Sequence, residues 1–510
     1  MRGDPSHHPL APRRVPACRV PPDPVEILRS RFGYPGFRPG QEDLVRAVLA
    51  GRDALGVLPT GGGKSVCYQV PALALGGVTL VVTPLVSLME DQVGRAREVG
   101  LRASHLSSTQ DLAERRRTTD AARRGDLDVL FVAPERLESA PFLELVAELD
   151  VRLLAIDEAH CISEWGHDFR PAYRRIGTLR SRLDCPALAL TATATPAVRT
   201  DVMRSLSLDA PSLVIRSFDR PNLSWSVVRG GSIESRIHEL YRALKAGSGC
   251  AVVYAPTRRS VELVRDRLAA LGVRAEAYHA GLSGAERTRV QAAFMDDDCR
   301  VVSATNAFGM GIDKPDVRAV YHLQLPSTLE AYYQEAGRAG RDGEPAHCIA
   351  FHAHRDRRLG QAFIDRTHPG VPRVRRAHGR LLRLRDESGV VDLDAATLVP
   401  IVGPEAREWL HGEPVGVLGA LERIGAIRRI GSRNSSTGTR PPAGVSVTQR
   451  VGVRARLDLT AALRLRTRAR DKLDAVGRFA RTRGCRRRAL LGYFGEEAPA
   501  RCGSCDRCRA

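Results

Sequence analysis

From about residue 27 to 215 the chain alternates short, almost unbroken apolar runs with amphipathic stretches of helical period. The runs read DALGVLP, VTLVVTP, LDVLFVAP, VRLLAIDEA and ALALTATA, and each ends in a polar loop carrying Gly, Pro or Thr. Runs that are apolar on both faces predict parallel strands covered by helices on either side. The pattern repeats between about 216 and 355, in CAVVYAP, VRAEAYH, CRVVSAT and VRAVYHLQ. The predicted class is therefore α/β, with two tandem parallel-sheet lobes at 27–215 and 216–355. In such sheets a ligand sits beyond the carboxyl ends of the strands. The polar motifs of the first lobe all fall at such ends, which predicts one shared site.

The pattern then changes. The Arg-rich stretch VPRVRRAHGRLLRLR predicts a helix leaving the second lobe. Within 356–455, VLGALERIGAIRRI reads as a helix and then a strand, GSRNSSTGTRPPAG as a polar loop, and VSVTQRV as a returning strand. That order is compatible with a small winged helix. Residues 456–510 predict a basic helix running into four cysteines. Residues 1–26 are Pro-rich without an apolar signal core and are expected to be a disordered tail, or a stretch added by a start codon assigned too far upstream.

Composition narrows the class. Hydrophobic and charged fractions of 43% and 27% are those of a globular protein. No apolar run approaches the roughly 18 residues of a membrane span. The net charge of +20 favours a polyanionic partner, though a basic surface alone does not identify one. With no export signal a reducing, cytoplasmic setting is expected. The cysteine cluster among the eleven cysteines then points to a metal rather than disulfides.

Three motifs carry chemistry. LPTGGGKS follows a strand and opens a helix. Backbone N–H groups of Thr60, Gly61, Gly62 and Gly63 are placed to wrap phosphates, Lys64 to reach the β/γ-phosphates and Ser65 to ligate Mg²⁺. Leu58 stands where the general pattern has Gly, so the match is partial. Only four lysines occur among 78 basic residues, and one is Lys64. Asp157 and Glu158 end the fourth apolar run. There, Asp157 suits a hold on Mg²⁺ and Glu158 the polarisation of an attacking water. In YYQEAGRAGRDG, Gln334, Arg338 and Arg341 recur at i, i+4 and i+7, so a helix there would align them on one face. Arginines brought to a γ-phosphate from a second lobe act as fingers. Finally, Cys485, Cys502, Cys505 and Cys508 have the spacing of a four-thiolate Zn²⁺ site with no open position; an iron–sulfur cluster is the alternative.

The ordered blocks FGYPGFRPGQ (32–41), LPTGGGKS (58–65), TPLVSLMEDQV (83–93), APERL (133–137), DEAHCISEWGHDFRP (157–171), TATAT (191–195), FDRPN (218–222), YHAGL (278–282), ATNAFGMGIDKPDVR (304–318) and QEAGRAGRDG (334–343) resemble the RecQ family of superfamily 2 DNA helicases. The resemblance covers roughly 27–355 and 479–510. It implies two RecA-like lobes with ATP and Mg²⁺ between them. Tyr34, Arg38 and Gln41 match the adenine-recognition element, with Tyr34 stacking and Gln41 bonding the base edge. Gly309 and Asp313 match the block lining the cleft from the second lobe. TATAT would couple hydrolysis to movement. The loop after the acid pair, with His160, Trp165, His167, Phe169 and Arg170, would sense DNA: Trp165 and Phe169 by base stacking, Arg170 through phosphate or the site itself. Tyr173 is the residue of this loop most suited to the core. Phe479 and the CRR…YFGE pattern match the family's zinc element.

The resemblance implies an ATP-dependent 3′→5′ DNA helicase in repair, recombination or replication, acting as a monomer on single-stranded and branched or duplex DNA at the chromosome. An RNA-dependent ATPase, or a winged-helix DNA-binding regulator with an ATPase switch, are the rival readings. The chain departs from the family pattern at Ala336, where the QE-x-GRAGRDG block usually has a hydroxyl residue, and in the layout of its C-terminal part. About 125 residues separate the lobes from the zinc element, the winged-helix candidate precedes it, and the candidate wing at 431–443 has no aromatic to part base pairs.

Overall fold

A computed structural model describes residues 22–84, 86–107, 110–166, 168–309, 314–384, 390–393, 395–403, 406, 416–424, 426–432, 447–451 and 459–509. The first lobe is a seven-stranded parallel sheet of β1 (Ala54–Val57), β2 (Val78–Val82), β3 (Ala103–Leu106), β4 (Val129–Val132), β5 (Val151–Ile156), β6 (Ala187–Thr191) and β7 (Ser212–Ile215), in the order β3-β4-β2-β5-β6-β1-β7. The five apolar runs supply its centre. The two strands absent from the sequence reading, β3 and β7, lie at its edges, where half-exposed residues break the apolar pattern.

The second lobe is a six-stranded parallel sheet. It holds β8 (Leu223–Arg229), β9 (Cys250–Tyr254), β10 (Glu276–Tyr278), β11 (Val301–Ala304), β12 (Val317–His322) and β13 (Ala346–His352), ordered β10-β11-β9-β12-β13-β8. A third unit pairs β14 (Val390–Leu393) and β15 (Ile427–Ser432) antiparallel to β16 (Val447–Val451). Helices Val371–Leu384, Ala395–Val402 and Gly416–Arg423 accompany this sheet over a separate core that includes Val374, Leu398, Leu418 and Ile427. The helix, strand and returning strand of the sequence reading are present, and β14 is added. The loop 433–446, which holds most of the candidate wing, lies outside the described residues.

The expected tail 1–26 is too long by three residues. A helix begins at Pro24, with Asp23 accepting from the Val25 N–H. Aspartate before proline is a helix start that Pro-rich composition conceals. Residues 1–21 lie outside the described residues.

The C-terminal stretch is not an appendage. Phe479, Leu490, Phe494 and Cys505 are buried in one continuous core with both lobes. No helix among the described residues is long and apolar enough to cross a membrane.

Candidate nucleotide site, strand-sensing loop and zinc centre

Four chain segments meet at the carboxyl edge of the first sheet. The Asp157 N–H donates to Val82 O (2.9 Å) and the Leu58 N–H to Thr191 O (3.0 Å). This brings the P-loop, the acid pair and the TATAT segment together, as the shared-edge argument predicts. Gly61 and Gly63 take φ of 78° and 69°, left-handed values that let the loop turn into helix α1 (Val66–Leu75). Gln41 holds that turn from outside. Its Nε2 donates to Gly62 O (3.0 Å) and Gly63 O (2.9 Å), and its Oε1 accepts from the Arg38 N–H (2.8 Å). The Arg38 guanidinium donates to Gly61 O. Gln41, expected on the adenine edge, thus also ties the base-side segment to the P-loop. Tyr34 is 51% exposed beside a cleft of about 340 Å³ that also meets Ser65 and Gln92.

The acid pair is half-buried and shaped by its backbone. Glu158 has φ 46°, a strained value for a side chain other than glycine. Its carboxylate lies 3.7 Å from Lys64 Nζ and 3.3 Å from His160 Nδ1. His160 Nδ1 is also 2.9 Å from Thr191 Oγ1, linking the acid pair to TATAT. Asp157 accepts from the Glu158 N–H (2.9 Å) and from Gln92 Nε2 (3.4 Å). Burial, and then the Glu158 charge, push the Asp157 carboxyl up to about 6 against the pull of Lys64. Two neighbouring carboxylates at a strand end, with Ser65 lining the same cleft as the Asp157 partner Gln92, fit a divalent cation whose charge would relieve that repulsion.

The second lobe presents its arginines differently from the sequence reading. Helix α2 (Leu329–Ala336) carries Gln334, half-buried, but ends at Gly337. Arg338 and Arg341 therefore lie in the turns beyond, not on one helical face. Two glycines within four residues, Gly340 with φ 53°, stop the helix. Arg220 clamps the turn, donating to Gly337 O (3.2 Å), Ala339 O (3.0 Å) and Gly340 O (2.8 Å). Arg338 is buried and donates to Gly309 O. The Arg341 stem packs on the P-loop: a methyl on Gly61 would sit 3.6 Å from its Cδ. Asp313 lies outside the described residues.

The aromatic loop runs directly from the acids. Tyr173 is buried and its hydroxyl donates to Asp157 O (3.1 Å), so it belongs to the core, as expected. Arg170 donates to Pro84 O (2.8 Å) and pairs with Asp168 (3.1 Å), so it serves the lobe itself. Phe169 lies under Arg174 at 5.4 Å. Trp165 is 43% exposed, yet a guanidinium, that of Arg468, covers its ring at 3.6 Å. His167 lies outside the described residues.

The Sγ atoms of Cys485, Cys502, Cys505 and Cys508 all lie within 4.8 Å of one another; Cys502–Cys508 is 3.9 Å and Cys485–Cys505 4.0 Å. Tetrahedral Zn²⁺ with Zn–S near 2.3 Å requires sulfurs about 3.8 Å apart, so the set fits. N–H groups of Arg486 and Cys502 point at Cys505 Sγ and Cys508 Sγ (3.4 and 3.3 Å), which suits thiolates.

The residues the sequence reading missed are Gln92, Arg220, Arg468 and Lys472. Gln92 and Arg220 sit inside the quoted blocks without a role. The scarcity that marks Lys64 marks Lys472 too, because it is another of the four lysines.

Two parallel lobes, one carrying a P-loop and paired acids and the other packing an arginine turn on that P-loop, define a superfamily 2 helicase core. Residues 38–201 match the DEAD/DEAH box helicase model, 234–343 the helicase conserved C-terminal domain and 452–509 the RecQ zinc-binding domain. The chain is 45% identical over 329 residues to the ATP-dependent DNA helicase RecQ of Pasteurella multocida, covering 64% of this chain and 52% of that protein. It is 43% identical over 343 residues to the probable ATP-dependent DNA helicase RecS of Bacillus subtilis, covering 67% and 69%. The chain belongs to the RecQ family. It spans about half the length of the RecQ relatives it matches. Solved structures agree in fold: the DEAD-box helicase Mss116 bound to ssRNA (TM-score 0.56, 17% identity, 68% of this chain and 76% of that one) and Mycobacterium smegmatis Lhr bound to ssDNA (0.53, 22%, 73% and 55%).

Proposed function

We propose that this chain is an ATP-dependent DNA helicase that moves 3′→5′ along one strand and separates duplexes, as a soluble, chromosome-associated monomer. The observation that carries this reading is the approach of the arginine turn to the P-loop, at Arg341 and Gly61, with a continuous chain from Glu158 into the aromatic loop. In this reading Lys64 binds the β/γ-phosphates. Glu158, aimed by its strained backbone and by His160, orients the attacking water and takes its proton. Arg338 and Arg341 stabilise the charge that develops on the transferred phosphoryl, and Gln334 lines the same cleft. Tyr34 and Arg38 face the base side, and Gln41 sets the P-loop turn. Ser65 and Asp157 would hold Mg²⁺, which supplies charge neutralisation of the phosphates when bound. The domain division is 27–215, 216–355, a winged-helix-like unit within 356–455 and a zinc element within 456–510.

The test is ATP turnover with and without oligonucleotides, together with unwinding of 3′-tailed, 5′-tailed and forked duplexes. DNA is expected to stimulate turnover at least about tenfold, and the 3′-tailed duplex to be unwound over the 5′-tailed one. Equal turnover with and without any polynucleotide overturns the reading. Stimulation by RNA oligomers alone favours the RNA-dependent rival.

A second expected outcome concerns Gly309. With φ of 143°, it leaves no room for a methyl, which would lie 2.4 Å from the Arg338 guanidinium carbon. Gly309→Ala should displace Arg338 and lower kcat about 100-fold. A steady-state ATPase assay alongside circular dichroism separates this from unfolding.

A further inference from the structure

Helix α3 (Thr460–Arg481) crosses the aromatic loop with two residues four apart, hence on one face. The Arg468 guanidinium carbon lies 3.6 Å from the Trp165 ring centroid, and its Nη1 pairs with Glu164 Oε2 at 3.2 Å. The other Glu164 oxygen is held by Arg174 at 2.6 Å. Lys472 Nζ donates to the Trp165 carbonyl (2.6 Å) and pairs with Glu330 Oε1 (2.9 Å). Glu330 is 2% exposed on α2, the helix that leads into the arginine turn. One ammonium thus ties the loop of the first lobe to the finger-bearing element of the second. A cavity of about 430 Å³ between Phe169, Phe363, Leu465 and Lys472 leaves the loop room to move.

A guanidinium and a nucleobase seek the same π face. We propose that Arg468 and Lys472 are positioning residues that hold the aromatic loop in its strand-free posture, and that an incoming strand takes the Trp165 face from Arg468 and offers the freed guanidinium a phosphate. The shift passes along the chain from Trp165 to Glu158, so the two side chains set the resting rate of hydrolysis. This rests on the helicase reading above.

The chain has three tryptophans, so 5-fluorotryptophan labelling yields three ¹⁹F resonances, and Trp165→Phe assigns one of them. Arg468→Lys keeps the charge but loses the planar stack; Lys472→Met removes the tie to Glu330. In strand-free protein both variants should move the Trp165 resonance toward the position that oligo-dT produces in the parent, with the other two unmoved. ATP turnover without DNA should rise about three- to tenfold, the oligo-dT concentration for half-stimulation should fall by a similar factor, and the saturated rate should hold. A Trp165 resonance unmoved in both variants overturns the proposal, as does a rate that falls equally with and without strand. A parent protein indifferent to oligo-dT would sink the helicase reading instead, and the strand-free resonance would still decide the clamp.

Discussion

Arg341→Ala is expected to lower the DNA-stimulated kcat for ATP hydrolysis about 10³-fold, the low end of what an arginine finger supplies. Oligo-dT affinity should stay within about threefold, because only the transition state loses an interaction. Arg341 belongs to the second lobe, yet its stem packs on Gly61 of the P-loop, so in the proposed reading its charge would reach the phosphates only when the lobes meet. Arg341→Lys should recover part of the loss: it restores a point charge without the planar fork. Lys64→Ala should be at least as damaging. It also removes the cation 3.7 Å from Glu158, leaving the half-buried acid pair without that neighbour and weakening nucleotide binding as well as catalysis. Single-turnover kinetics at saturating ATP, with strand binding followed by anisotropy, check both. Arg341→Ala turning over within tenfold of the parent would place the reacting phosphate elsewhere.

The parts of this site legible in the sequence are those fixed by short-range chemistry. β1, β2, β4, β5 and β6 are apolar on both faces because helices cover both, so each announces itself. The P-loop and acids follow because backbone and side chain act within a few residues of a strand end. The edge strands β3 and β7, and β8 and β13 of the second lobe, include partly or fully exposed positions and carry no such signature. Periodicity misled at Arg338 and Arg341. Their i, i+4, i+7 spacing suits a helix, but Gly337 and Gly340 end it, and Arg220, more than a hundred residues away, sets the turn. Gln41 was legible as part of a base-recognition element, but its hold on the P-loop was not, because those partners are carbonyls over twenty residues along the chain. Trp165 was legible as an aromatic at a strategic place; its cover by Arg468, some three hundred residues later, was not, because no local pattern links a stacking ring to a distant helix.

Cys505→Ser is expected to abolish zinc binding, unfold the segment 485–509 and lower DNA-stimulated turnover more than tenfold. A structural zinc contributes about 10–16 kcal/mol apparent in finger peptides, as much as the roughly 5–15 kcal/mol that holds a whole domain folded. With the metal gone, only the packing of Leu490 and Phe494 on the lobes and the Arg486–Asp506 pair are left to set against the chain entropy of so short an element. The effect reaches catalysis through named contacts. Phe494 stacks on Phe218 with ring centroids 4.4 Å apart, and Glu496 accepts from the Phe218 N–H at 2.7 Å. Arg487 donates to Pro221 O (3.1 Å) and Leu223 O (2.9 Å). Between these anchors lies Arg220, the residue that grips the arginine turn at Gly337, Ala339 and Gly340. Losing the zinc element therefore frees the segment that positions Arg338 and Arg341. Metal content by atomic absorption, melting by near- and far-ultraviolet dichroism, and ATP turnover give three separate readouts. The variant should lose its metal and a low-temperature transition while the sheets of both lobes persist. A zinc-free variant with unchanged turnover would mean that the arginine turn stands without this support.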